Sequence, residues 1–286
     1  TRALPISCYS VHLADSVSSI YSHLKEVAQL SKNGGGVGVY FGDVRPAGSP
    51  ISGGGKSTGI VPWAQQYDLA ARVVSQGGVR RGSFAIYLPI DHPDVPELLR
   101  AKDHSKGDPR KFIDSNIALT VSDDFINEMI AGDEKKQELF GEVLKTRMIS
   151  GSPYLVFIDN ANRQNPQCYV ERGLEVSTSN LCSEIFLHTD EHHSFVCVLS
   201  SLNLARYDEF SAWRSSATGR SVPELAIHLL DAVVSEFIRK ADNKVGLGRS
   251  VRFAEKSRAL GLGTMGLHTL YQKRGLPFKS QGARQL

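Results

Sequence analysis

Asn180, Cys182 and Glu184 alternate through the run Ser179-Asn-Leu-Cys-Ser-Glu-Ile185. Successive side chains of an extended chain point to opposite faces, so a strand here would present all three on one face. The set has chemical potential: a thiol stands between a carboxylate able to take a proton and an amide able to orient a hydroxyl. Spacing alone leaves another reading open, because a buried cysteine usually serves as a small packing unit, and Asn and Glu are ordinary on a water-facing strand edge.

Two further cysteines ask for the same explanation. Cys197 lies in Ser194-Phe-Val-Cys-Val-Leu-Ser-Ser-Leu-Asn-Leu204, and Cys8 in Ile6-Ser-Cys-Tyr-Ser10. With Ser75-Gln-Gly-Gly-Val-Arg-Arg-Gly82, these motifs resemble, in order and spacing, the catalytic large subunit of class I aerobic ribonucleotide reductase, from about Ser7 to about Phe278. The Asn-x-Cys-x-Glu element paired with a downstream cysteine strand is the most specific part of the likeness.

The resemblance implies a partial ten-stranded α/β barrel and the reduction of ribonucleoside diphosphates to deoxyribonucleotides for DNA precursor synthesis. In that mechanism Cys182 carries a thiyl radical and takes hydrogen from C3′ of the ribose. Glu184 accepts the 3′-hydroxyl proton, and Asn180 fixes a ribose hydroxyl. Cys8 and Cys197 supply the reducing equivalents and become a disulfide, which requires Cα atoms within about 7 Å. The likeness further implies substrate contacts from Ser7, Gly35, Gly36, Gln76 and Arg80, and an ATP or deoxynucleotide effector held by Asp15, Ser16 and Arg45. It also implies a homodimer of catalytic subunits, thioredoxin or glutaredoxin as reductant, and a metal-containing small subunit as radical source, with no cofactor bound directly. Asp15 is equally suited to cap a helix, Arg45 to be a solvated loop charge, and Cys8 and Cys197 to be small strand hydrophobes.

At 286 residues and 41% hydrophobic content the chain has enough material for one large α/β domain over 1–286. A net charge of +3, without a basic stripe, argues against nucleic acid as partner. Four cysteines are too few for a disulfide scaffold and have no zinc-ligand spacing, so no metal site is expected. No basic-then-apolar leader and no run of about 20 apolar residues occurs, which points to a reducing cytoplasm and away from membranes. The opening at Thr1 and the ending Gln281-Gly-Ala-Arg-Gln-Leu286 read as part of a longer protein.

The positioning elements follow from periodicity. A helix is expected after Asp15 as N-cap, with Val17, Ile20, Leu24, Val27 and Ala28 on one face and Asn33-Gly34 as its end. A strand over 36–41, a long binding loop over 43–59 and a helix begun near Pro62 come next. Strands are expected over 83–90, 117–121 and 154–158, and helices over 123–131 and 135–148. Active-site strands should fall within 177–205, with Cys182 on a strand or loop-like finger, and the effector and dimer region within 9–90. A helix near 222–241, with Leu225, Leu229, Val233 and Phe237 at helical spacing, is read as core packing.

Rival motifs fail. Gly261-Leu-Gly-Thr-Met-Gly266 fits the dinucleotide fingerprint, yet charged Glu255-Lys-Ser-Arg258 stands where its strand belongs. Gly53-Gly-Gly-Lys-Ser57 lacks the first phosphate-loop glycine, which would fall at Pro50. Cys168 matches no motif, and the neighbours His188, His192 and His193 read as a solvated turn. The alternative function is a non-catalytic piece that binds nucleotide effector and needs a second polypeptide.

Overall fold

Short apolar runs alternating with amphipathic helices build one mixed, curled seven-stranded sheet with helices packed on it. The structure, a computed structural model, describes residues 4–74, 82–102 and 114–286. The expected contacts Gln76 and Arg80 lie outside the described residues. The strands are β1 (Cys8–His12), β2 (Gly36–Tyr40), β3 (Phe84–Pro89), β4 (Asn116–Val121), β5 (Tyr154–Phe157), β6 (Phe195–Asn203) and β7 (Leu260–Met265). Their order across the sheet is β5-β4-β3-β2-β1-β6-β7.

Strands β1 to β5 are parallel neighbours in chain order, and β6 and β7 form a second parallel pair. The two sets meet at one antiparallel seam, where β1 and β6 pair as Cys8↔Cys197, Tyr9↔Val196 and Ser10↔Phe195. Parallel strands need covering on their faces, and the apolar runs supply it. Val37, Val39, Ile86, Leu88, Ile117 and Leu119 join the main core beneath the helices. Gly36, Gly38, Tyr40, Ala85, Tyr87 and Ala118 alternate with these residues and so face the other side. Among the described residues no helix is long and apolar enough to cross a membrane.

Most of the expected elements form, with local corrections. The first helix is Val17–Lys32, but its N-cap is Ser16, whose hydroxyl accepts from the Ser19 amide at 3.0 Å. Asp15 is left to bond Arg45. Its apolar face includes Ile20, Val27 and Leu30, while Val17 remains 61% exposed. Helix Val222–Ala241 starts with a capping box between Ser221 and Glu224. Its buried face is Leu230, Val234, Phe237 and Ala241, a step in phase from the expected stripe, and Leu229 is 64% exposed. Helix Gly248–Ser257 and strand β7 were not anticipated. The glycine run read as a failed fingerprint is β7 itself, where a Cβ at Gly261 would collide with the Leu199 side chain.

Helix Val17–Lys32 also buries His23 and Glu26 completely. Burial, reinforced by the Arg249 guanidinium, lowers the His23 pKa from 6.5 to about 4. The folded protein therefore holds His23 neutral where the unfolded chain takes a proton. Stability contributed above pH 6.5 is lost as the pH falls towards 4, on the order of 3 kcal/mol for this group. Denaturant unfolding at pH 7 and pH 4.5 should show a smaller pH-dependent loss for His23→Gln than for the parent. Equal losses would contradict the assignment.

Candidate active site

The site is built by a loop laid across the face of the sheet opposite the main core. Residues 174–189 contain no strand or helix, so the expected strand around Cys182 is instead a finger whose path is set by side chains. The Asn180 Oδ1 accepts from the amides of Glu184 and Ile185, each at 3.1 Å, and from the Ser179 hydroxyl at 3.2 Å. Its Nδ2 donates to Glu184 Oε1 at 2.9 Å. One buried amide thus closes the turn around Cys182 and aims the carboxylate. The energetic reason is accounting: each buried amide and carbonyl taken from water must find a partner.

The sheet grips this finger at three points. At Gly38 a Cβ would fall less than 3.0 Å from the Ser179 carbonyl oxygen, so only glycine lets the loop come this close. At Gly36 a Cβ would stand 2.6 Å from the Leu181 side chain. The Tyr87 hydroxyl donates to the Asn180 carbonyl at 2.6 Å and, having one proton, accepts from Ser183 Oγ at 2.6 Å. Burial pushes the Tyr87 phenol up to about 12, which keeps it a donor. Ser183 holds φ 63 in the left-handed region, a conformation costing a non-glycine residue about 1–2 kcal/mol. Its bond to Tyr87 offsets part of that cost at the residue beside Cys182.

Beneath the finger tip lies the seam. Cys8 and Cys197 are direct partners in the antiparallel ladder. Such partners have Cα atoms about 4.5 or 5.5 Å apart, inside the window of about 4.4–6.8 Å that a disulfide spans. Both carry free thiols. Burial and then the Glu184 carboxylate raise the Cys8 pKa, with Ser7 opposing and Cys182 and Asn180 contributing smaller effects. Cys197 is pushed up to about 12 by burial, then by Cys8 and Glu184. Both thiols stay protonated at neutral pH, which suits donation of hydrogen better than attack as thiolates. These mutual influences bring Cys8, Cys182, Cys197, Asn180 and Glu184 into one electrostatic neighbourhood.

The other expected residues divide. Ser7 sits beside this centre, its hydroxyl opposing the rise of the Cys8 pKa and its carbonyl accepting the Gly36 amide at 2.8 Å. Gly36 faces the finger, whereas Gly35 is closed off by the Tyr9 ring, 2.7 Å from where a Cβ would stand. Asp15, Ser16 and Arg45 line a separate cavity of about 480 Å³, together with Lys56 and Trp63. There Arg45 Nε donates to Asp15 Oδ2 at 2.6 Å and Nη1 to the Pro50 carbonyl at 2.8 Å, so the two expected ligands pair with each other. Cys168 is exposed on a short helix, Gln167–Val170. Sequence reasoning passed over Gly38, Tyr87 and Ser183. Gly38 alone carried a signal, lying two residues beyond Gly36 on the same strand face.

The profile of the ribonucleotide reductase barrel domain matches residues 6–137 and 126–286. The vitamin B12-dependent ribonucleoside-diphosphate reductase of Mycobacterium tuberculosis is 33% identical over 98% of the chain and 40% of its own length. The large subunit of ribonucleoside-diphosphate reductase from Arabidopsis thaliana is 30% identical, again over 98% and 40%. The solved alpha subunit of the Actinobacillus ureae class Id ribonucleotide reductase superposes with a TM-score of 0.87 at 38% identity, covering 99% of this chain and 51% of that one. The chain thus spans between two fifths and about half of these relatives. By profile, sequence and fold together, it belongs to the ribonucleotide reductase family and carries the barrel-domain part of a large subunit.

Proposed function

We propose that this protein reduces ribonucleoside diphosphates to deoxyribonucleotides by radical chemistry at Cys182. The observation that carries the reading is the direct pairing of Cys8 with Cys197 under the finger bearing Cys182, Asn180 and Glu184. A sulfur radical at Cys182 takes the 3′ hydrogen of the ribose, and Glu184 receives the 3′-hydroxyl proton. The 2′-hydroxyl then leaves as water. Cys8 and Cys197 give up two hydrogens in all and join as a disulfide, Cys182 returns the 3′ hydrogen and regains its radical, and Glu184 returns the 3′-hydroxyl proton, so one C–O bond becomes one C–H bond for each S–S bond formed. Ser7 and the second Nδ2 hydrogen of Asn180 would hold the sugar. The Asn180–Glu184 bond sets that arrangement before substrate arrives, which is where positioning contributes most.

The radical itself is supplied by a metal-containing small subunit. Asn-Leu-Cys-x-Glu supports this source over a cobalamin, although several relatives are named as B12-dependent. The cavity beside Asp15, Ser16 and Arg45 suits an ATP or deoxynucleotide effector, since Lys56 and Arg45 can meet phosphate. Exposed Val17, Tyr21, Leu69 and Val73, on two helices that touch, offer an apolar patch to a second copy in a homodimer. Thioredoxin or glutaredoxin would restore the thiols. The same residues would thus serve a cytoplasmic, allosterically controlled enzyme of DNA precursor supply.

The full-length protein, supplied with a radical-generating small subunit, a ribonucleoside diphosphate and a dithiol, should form the corresponding deoxynucleotide. Product formed with adenosylcobalamin and no small subunit would overturn the choice of radical source. No product with either source would overturn the activity.

A further inference from the structure

The seam that pairs Cys8 with Cys197 is held by only three residue pairs, so its ladder alone is a weak determinant of register. A slip of one residue would turn the Cys197 side chain to the other face of the sheet. Something outside the ladder must fix where β6 begins. The candidate is the turn 189–193, which joins the finger to β6. It is stitched internally by Asp190, whose Oδ1 accepts from the amides of His192 at 2.7 Å and His193 at 2.8 Å.

Helix Gly248–Ser257, which packs on β6, holds this turn along one basic edge. Arg249 Nε donates to the Glu191 carbonyl at 2.8 Å, Arg252 Nη2 to the His192 carbonyl at 2.8 Å, and Lys256 Nζ to His193 Nε2 at 2.9 Å. Three successive residues of the turn are therefore gripped by positions one helical turn apart. The innermost grip reaches across the seam. Arg249 also donates from Nη2 to Ser22 Oγ at 2.9 Å and from Nη1 to Glu26 Oε2 at 3.4 Å, and Ser250 Oγ donates to Glu26 Oε1 at 2.8 Å. Ser22 and Glu26 belong to helix Val17–Lys32, which packs on β1 and β2. Glu26 is completely buried, and a charge in that position is retained only where its partners are fixed.

We propose that Arg249, oriented by Glu26 and Ser22, is a positioning residue that ties the helix over β1 to the turn ahead of β6 and so keeps Cys197 opposite Cys8. The inference rests on the reading of Cys8 and Cys197 as the reducing pair, but its test needs no turnover. In the full-length protein, diamide takes two electrons and two protons from the thiols, and peptide mapping follows the Cys8–Cys197 disulfide with time. Glu26→Gln and Arg249→Lys should each slow its formation about tenfold, a size typical of coupling through a packed network. Arg252→Ala and Lys256→Ala, which loosen the same turn from its exposed side, should slow it by roughly threefold. Arg239→Ala, which breaks only an exposed pair with Glu236 on a neighbouring helix, should leave the rate unchanged.

Should the buried variants fail to fold, the two exposed variants carry the test. Rates equal to the parent in all folded turn variants would overturn the inference, as would equal slowing by Arg239→Ala. Normal disulfide formation in the parent without deoxynucleotide synthesis would count against the reductase reading while leaving the strut intact.

Discussion

Replacing Cys182 by serine should abolish deoxynucleotide synthesis in the full-length protein, lowering kcat by roughly 10⁴-fold or more, as expected where a whole mechanism converges on one atom. A serine hydroxyl keeps the shape of the side chain with a slightly smaller atom, but its O–H bond is too strong to yield a usable radical. Cys182 is exposed at the finger tip, so the fold should survive within about 0.5 kcal/mol. Cys168→Ser, on its exposed helix, provides the matched control and should turn over normally. Retention of more than a few per cent of activity by Cys182→Ser would remove the thiol from the chemistry.

Gly38→Ala should cost the next largest share of the activity, without touching any reacting group. Its new methyl would meet the Ser179 carbonyl, which is backbone and cannot swing aside. The finger must lift, at a cost of about 1–3 kcal/mol in stability. A displacement of about 1 Å at positioned groups costs on the order of 10²-fold in rate. Steady-state kinetics should show that loss in kcat, and urea unfolding the accompanying destabilisation. Gly141→Ala is the control: it lies within helix Glu134–Ser150, where a Cβ meets nothing, and should stabilise slightly. An active, undiminished Gly38→Ala protein would mean that the finger is not held by this approach.

The contrast between these two sites shows what could be read from the sequence. Cys182, Asn180 and Glu184 were legible because their types and alternation are unusual together, and Cys8 and Cys197 because their surroundings match a family pattern. Regular elements were legible where one period dominated, as in Val17–Lys32 and Phe84–Pro89. The conformation of the finger was not. It depends on Tyr87, 93 positions from Asn180, and on a side-chain amide capturing two backbone amides, neither of which leaves a periodic trace. Helix Val222–Ala241 was placed correctly but rotated, because Leu225-Leu229-Val233 and Leu230-Val234-Phe237 both satisfy helical spacing and only the sheet beneath decides between them. Strand β7 was hidden because glycines in a strand mimic a turn motif until Leu199 is seen to fill the space that a Cβ at Gly261 would need.

The central claim is that Cys8 and Cys197 face each other across the seam in order to give up electrons to the sugar under Cys182. Single-turnover reaction of the reduced full-length protein with its radical partner and substrate, without added dithiol, measures this most directly. One Cys8–Cys197 disulfide should appear for each deoxynucleotide formed, identified by peptide mapping. Product accumulating while both thiols remain alkylatable, or a disulfide formed by other cysteines, would contradict it.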